Sequence, residues 1–88
     1  MIENSPKEKP DLVLYGRSTC GYCRRVDVVI QRLQLEGRIE RRSTEWGSPW
    51  AADLRQRTGR GQVPCLFIDD KPMFESAEII QWLHDNFG

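Results

Sequence analysis

LVLYGRSTCGYCRRVDVVI, the run from Leu12 to Ile30, decides the fold. It begins with the unbroken apolar stretch Leu12-Val13-Leu14-Tyr15, the pattern of a strand buried on both faces, and Gly16 ends it. From Gly21 the period changes. Val26, Val29, Ile30 and Leu33 recur at helical spacing, while Arg24, Arg25, Asp27, Gln31 and Arg32 fill the remaining face. The pattern predicts a helix from Gly21 to Glu36 with Gly37 as its stop. Between strand and helix stands Cys20-Gly21-Tyr22-Cys23, which puts Cys20 just before the first helical turn and Cys23 within it.

Downstream, Arg38 to Ser43 has only Ile39 as an aliphatic anchor and reads as a polar edge strand, where charge discourages pairing with other chains. Ser48 followed by Pro49 is an N-cap and a first helical residue; Ala51, Leu54 and Thr58 are expected to face the core, and Gly59 closes the helix. Pro64 to Ile68 is a further apolar strand, Asp69-Asp70-Lys71 a turn, and Pro72 to Phe74 a short returning strand. Ser76 to Phe87 is a last helix, packing through Ile79, Ile80, Leu83 and Phe87. The order is βαβαββα, an α/β fold. A helix between the first two strands requires a right-handed parallel crossover, whereas the last two strands form a hairpin. The expected product is a mixed four-stranded sheet flanked by three helices, over residues 11–88, behind a flexible leader, residues 1–10.

The chain has 88 residues, enough for one core and one site. Apolar content of 39% and charged content of 30% are globular, and a formal net charge of zero gives no overall field for drawing in polyanions, so nucleic acid is not an expected partner. The net value still hides local patches of sign, since Arg24, Arg25, Arg38, Arg41, Arg42, Arg55, Arg57 and Arg60 can cluster. Met1 to Pro10 carries neither a secretory apolar run nor a membrane anchor, which sets cytoplasmic location as the expectation. In that compartment a spaced cysteine pair is more often catalytic or metal-binding than a structural disulfide. A zinc site would need two further ligands, and only Cys65 and His84 remain, one in a strand and one near the far end of a helix.

Backbone N–H groups at a helix N-terminus favour a thiolate, which makes Cys20 the attacking member and Cys23, covered by the turn, the resolving one. Arg17 adds positive charge three residues before Cys20, and no acidic residue lies between Ser18 and Arg25.

The segment Tyr15 to Arg25, with its Cys20-Gly21-Tyr22-Cys23, resembles the active-site segment of the glutaredoxins. Thr58-Gly59-Arg60-Gly61-Gln62-Val63-Pro64, with Leu66-Phe67-Ile68 after it, resembles their second signature. The resemblance covers Asp11 to the C-terminus and implies the thioredoxin fold. It also implies a glutathione-disulfide oxidoreductase that reduces protein–glutathione mixed disulfides and protein disulfides at the expense of glutathione. Pro64 is implied to be cis, with Val63 offering its backbone to the cysteinyl part of glutathione. Arg17, Gln56 and Arg60 match basic or polar positions that hold the glycine carboxylate, and Tyr22 and Gln62 belong to the same implied site.

Ahead of the last helix the chain departs from the glutaredoxin pattern. Phe74-Glu75-Ser76-Ala77-Glu78 instead resembles the N-terminal domain of glutathione transferases, where a Gln-Val-Pro is followed by a Glu-Ser pair, as in Gln62-Val63-Pro64 and Glu75-Ser76. That resemblance implies that Glu75 and Ser76 hold the γ-glutamyl end, with Ser76 also placed to cap the helix. Gly21 stands where most glutaredoxins carry proline, and relatives with a small residue there assemble a [2Fe-2S] cluster across a dimer through the first cysteine, here Cys20, and glutathione. A cluster-binding carrier or sensor is therefore an alternative, as is a glutathione-independent redoxin. The expected state is a monomer, dimeric only with a cluster, and no membrane partner is expected. Trp46 and Trp50 are expected to pack, or to rim a substrate groove, and Cys65 to be a small core residue.

Overall fold

A computed structural model describes residues 11–88; the expected leader lies outside the described residues. Seven elements follow in the anticipated order: β1 (Leu12–Gly16), α1 (Gly21–Arg32), β2 (Glu40–Ser43), α2 (Pro49–Thr58), β3 (Cys65–Ile68), β4 (Lys71–Met73) and α3 (Ser76–Phe87). The sheet order is β2-β1-β3-β4, with β1 parallel to β2 and antiparallel to β3, and β3 antiparallel to β4. This is the thioredoxin-like arrangement.

Strand β1 is central, and its alternate side chains enter two cores. Leu12 and Leu14 join Val26 and Ile30 of α1, Leu66, and Ile79 and Leu83 of α3 in the larger one. On the opposite face Tyr15 joins Leu54, Cys65 and Phe67. Burial on both faces explains why the first strand reads as continuous apolar sequence.

The edge position of β2 explains its polarity. Its arginines are structural all the same: Arg42 lies 4.3 Å over the Trp50 ring, donates to the Tyr15 hydroxyl at 2.8 Å and pairs with Glu40 at 2.7 Å. The Tyr15 hydroxyl, on a fully buried ring, donates to Asp53 and also accepts from Arg57 at 3.1 Å. The smaller core is thus sealed by a satisfied polar lid.

Several details differ from expectation: β2 begins at Glu40 rather than Arg38, β3 at Cys65 rather than Pro64, and β4 ends at Met73 rather than Phe74. Helix α1 stops at Arg32 rather than running to Glu36, and Gly37 is not its stop. Gln34 takes the left-handed conformation (φ 57), with Gln34 N–H bonded to Gln31 at 3.1 Å and Leu35 N–H to Ile30 at 2.9 Å. This is a Schellman closure, and its early turn lets Leu35 and Ile39 enter the larger core. Helix α2 is capped by Ser48 and closed by Gly59 (φ 81) as anticipated, but Ala51 is exposed. Trp50 packs in its place, edge-on to Tyr15 at 6.5 Å between centroids, because a large ring reaches the core where a methyl group does not. The hairpin turn is Asp69-Asp70 alone, both at positive φ (50 and 72), and Lys71 already belongs to β4. No helix among the described residues is long and apolar enough to cross a membrane.

Candidate active site around Cys20

The loop from β1 to α1 is pinned before the cysteines are reached. Ser18 donates to Glu45 from its backbone N–H at 2.8 Å and from its hydroxyl at 2.7 Å. Cys20 N–H bonds back to Arg17 at 3.3 Å. These contacts set Cys20 as the N-cap of α1, in extended conformation, where its sulfur accepts the N–H of Cys23 at 3.3 Å. The hydrogen bonds from Ser18 hold the Glu45 carboxyl below its ordinary range.

The two thiols are differentiated by their surroundings. Cys20 is partly exposed, whereas Cys23 is 1% exposed on the core side of α1. Burial, with the Cys20 side-chain hydrogen bond after it, pushes the Cys23 thiol up to about 12. Gly16 makes room for it: a Cβ there would meet the Cys23 sulfur at 3.3 Å. Cys65 is fully buried, and burial pushes its thiol up to about 11, in keeping with a core residue.

The Val63–Pro64 peptide is cis and lies beside Cys20, whose sulfur is 4.0 Å from the Val63 carbonyl oxygen. Arg17, Cys20, Gln62 and Val63 line a cavity of about 310 Å³. A second, of about 250 Å³, shares Gln62 and Val63 and adds Tyr22, Pro64, Glu75 and Ser76. A third, of about 410 Å³, runs off the other side through Arg17, Trp46, Arg55 and Gly61. The first two meet at Gln62 and Val63 and the third adjoins the first at Arg17 and Gly61, so the three line one groove with Cys20 at its middle. A larger hollow, about 690 Å³, opens between Asp11, Arg42, Arg57 and Asp70, away from the cysteines.

Most residues singled out in the sequence therefore converge: Arg17, Cys20, Tyr22, Gln62, Val63, Pro64, Glu75 and Ser76 share the groove. Gln56 does not; it is exposed on α2 and lines none of these cavities, while Arg55 faces the groove from the preceding position. Arg60 stacks 4.4 Å over Phe74 and bonds Gln62 at 3.2 Å, so it braces the groove wall. Ser76 does not cap α3. The cap is Glu75, without a side-chain bond, and the Ser76 hydroxyl has no partner among the described residues. Trp46 is fully exposed at the groove rim, but Trp50 is not at the rim. Sequence reasoning missed Glu45, since a clamp spanning 27 residues leaves no local pattern.

Fold and site together define a thioredoxin-fold domain, glutaredoxin-like in its cysteine pair and transferase-like in its Glu-Ser segment. Residues 19–86 match the family model for the N-terminal domain of glutathione S-transferase, and the chain belongs to that family. An epsilon-class glutathione S-transferase from housefly superposes at a TM-score of 0.72 with 21% identity, over 89% of this chain and 36% of that one. Leishmania TDR1, a trimeric glutathione transferase, is 32% identical at a TM-score of 0.68, over 84% of this chain and 16% of its own. Glutaredoxin from Brucella melitensis matches at 0.62 with 23% identity, over 92% of this chain and 85% of that one. The chain thus spans little more than a third of the housefly transferase and most of the glutaredoxin. None of the curated proteins matches the sequence.

Proposed function

We propose that this chain is a glutathione-dependent thiol–disulfide oxidoreductase in which Cys20 attacks and Cys23 resolves. One observation carries the reading: the accessible Cys20 sulfur sits at the head of α1, hydrogen-bonded by Cys23 N–H at 3.3 Å, with the protonated Cys23 thiol buried behind it. Transferase chemistry activates the thiol of glutathione itself; a protein sulfur facing the groove with a second thiol behind it offers a covalent route instead.

In the first step the Cys20 thiolate attacks the glutathione sulfur of a protein–glutathione mixed disulfide. The protein sulfur leaves with the bonding pair and takes up a proton. A second glutathione thiolate then attacks the sulfur bound to Cys20, releasing glutathione disulfide and restoring the Cys20 thiolate. For a protein disulfide, Cys20 becomes linked to one substrate sulfur and releases the other. Cys23, after losing its proton to solvent, attacks the Cys20 sulfur; a Cys20–Cys23 disulfide forms and the linked substrate sulfur leaves reduced. Glutathione would lie as an extended strand against Val63, whose N–H has no backbone partner among the described residues. Its γ-glutamyl end would reach the open Ser76 hydroxyl and its glycine carboxylate Arg17.

Cys20→Ser should abolish glutathione-coupled reduction, and Cys23→Ser should keep deglutathionylation while losing reduction of protein disulfides. Coupled assays with both substrate types check this; substantial activity in Cys20→Ser overturns the assignment. The cluster alternative rests on Gly21, which begins α1 in regular helix with open space where a Cβ would stand. That geometry admits glycine without requiring it, so it gives the cluster alternative no support of its own. No step is assigned to a cluster.

A further inference from the structure

Helix α1 leads away from the groove, and its outer face has a charge pattern that thiol chemistry does not use. It carries Arg24, Arg25 and Arg32, all exposed, against one carboxylate, Asp27, and has no acidic residue in its first turn. Asp27 is occupied: Arg41 of β2 holds it at 2.6 Å. Among the described residues no carboxylate pairs with the three arginines. Elsewhere Asp53 and Glu40 are held by Arg42, Asp70 by Arg57 and Glu45 by Ser18, while the exposed carboxylates Glu36, Glu75 and Glu78 lie outside α1 and pair with none of its arginines. The outer face of the helix that Cys20 caps therefore presents three arginines without carboxylate partners.

The same face exposes apolar surface. Tyr22 is 62% and Val28 46% exposed, and the Arg25 guanidinium stands 5.8 Å from the Tyr22 ring centroid. Steps of three and four residues put Tyr22, Arg25, Val28 and Arg32 in one stripe down the helix. The stripe begins at Tyr22, which also lines the cavity containing Ser76, so whatever lies on it approaches Cys20 beside the glutathione groove.

We propose that this stripe docks the protein half of the substrate, an acidic segment with carboxylates flanking its glutathionylated or disulfide-bonded cysteine. The inference rests on the oxidoreductase reading. Carboxylates would meet Arg24, Arg25 and Arg32, and an apolar side chain would cover Val28. Complementary charge of this kind raises encounter rates and selects partners more than it adds affinity. It is also screened by salt, because the groups are exposed.

The test compares two synthetic peptides, each glutathionylated on a central cysteine, one with Asp and Glu flanks and one with Lys flanks. A small mixed disulfide of glutathione and mercaptoethanol is the third substrate. The wild type should turn over the acidic peptide with a kcat/KM roughly tenfold above the basic one at low ionic strength, a preference that fades as salt is added. The double variant Arg25→Glu with Arg32→Glu should reverse the preference and leave turnover of the small disulfide unchanged. Equal use of the two peptides by the wild type, or an unchanged preference in the double variant, overturns the docking proposal. Failure of the wild type to reduce the small disulfide would instead sink the oxidoreductase reading.

Discussion

At the scale of single residues, the two cysteines of one motif have different fates because one caps a helix and the other is buried by it. Brief iodoacetamide treatment of the native reduced protein at pH 7.5 should add one label, at Cys20. Cys23 and Cys65 are shielded by burial and held protonated, with thiols at about 12 and about 11. Peptide mapping reads this directly, and equal labelling at Cys23 would contradict the buried placement. Ser76 supplies a second test. Since it makes no cap bond, Ser76→Ala should leave stability within about 0.5 kcal/mol. The same substitution should raise KM for glutathione more than it lowers kcat, as loss of uniform binding does. Melting curves and initial rates on one preparation separate the two effects. Unchanged kinetics in a stable variant would mean that the Glu-Ser resemblance misleads.

At the scale of elements, the termini of the helices show how far local chemistry goes. The end of α2 was legible because Ser48, Pro49 and Gly59 each suit their position in isolation. The end of α1 was not, because a glutamine takes the left-handed position where glycine costs less. Gln34→Gly should therefore stabilise the protein by about 0.5–1 kcal/mol, measured as a higher urea midpoint at constant m-value. Gly37→Ala, in open space at a site that is not the cap, should leave stability within about 0.5 kcal/mol of the wild type. The reverse order would restore Gly37 as the stop.

At the scale of the whole molecule, two buried thiols tie folding to pH. The folded values for Cys65 and Cys23, about 11 and about 12, exceed the ordinary 9.0. Between those limits the native state binds more protons than the unfolded one, so stability must fall as pH rises. Their contribution is fully present below about pH 8.5 and is lost through the folded values, at roughly 1 kcal/mol per pH unit per thiol. Denaturation midpoints measured from pH 8 to 10.5 should decline, and Cys65→Ala should decline less steeply. Parallel slopes for the two proteins would remove Cys65 as a cause.

The sequence alone determined the order of elements, the strand-to-helix junction carrying the cysteines, and the edge character of β2. Each is written in a period or a cap that a few neighbouring residues impose by themselves. It also pointed to the glutathione groove, through short motifs whose meaning lies in resemblance. Only the tertiary structure decided which side chains around those motifs face one another. It took Gln56 out of the groove and put Arg55 in, freed Ser76 from capping, and moved Trp50 to the core while leaving Trp46 at the rim. It also joined Glu45 to Ser18 and Asp27 to Arg41, leaving the arginines of α1 without carboxylates. The physical reason is range. Propensity and amphipathic period act over a few residues of one chain segment, whereas burial and charge pairing depend on which segments the fold brings together.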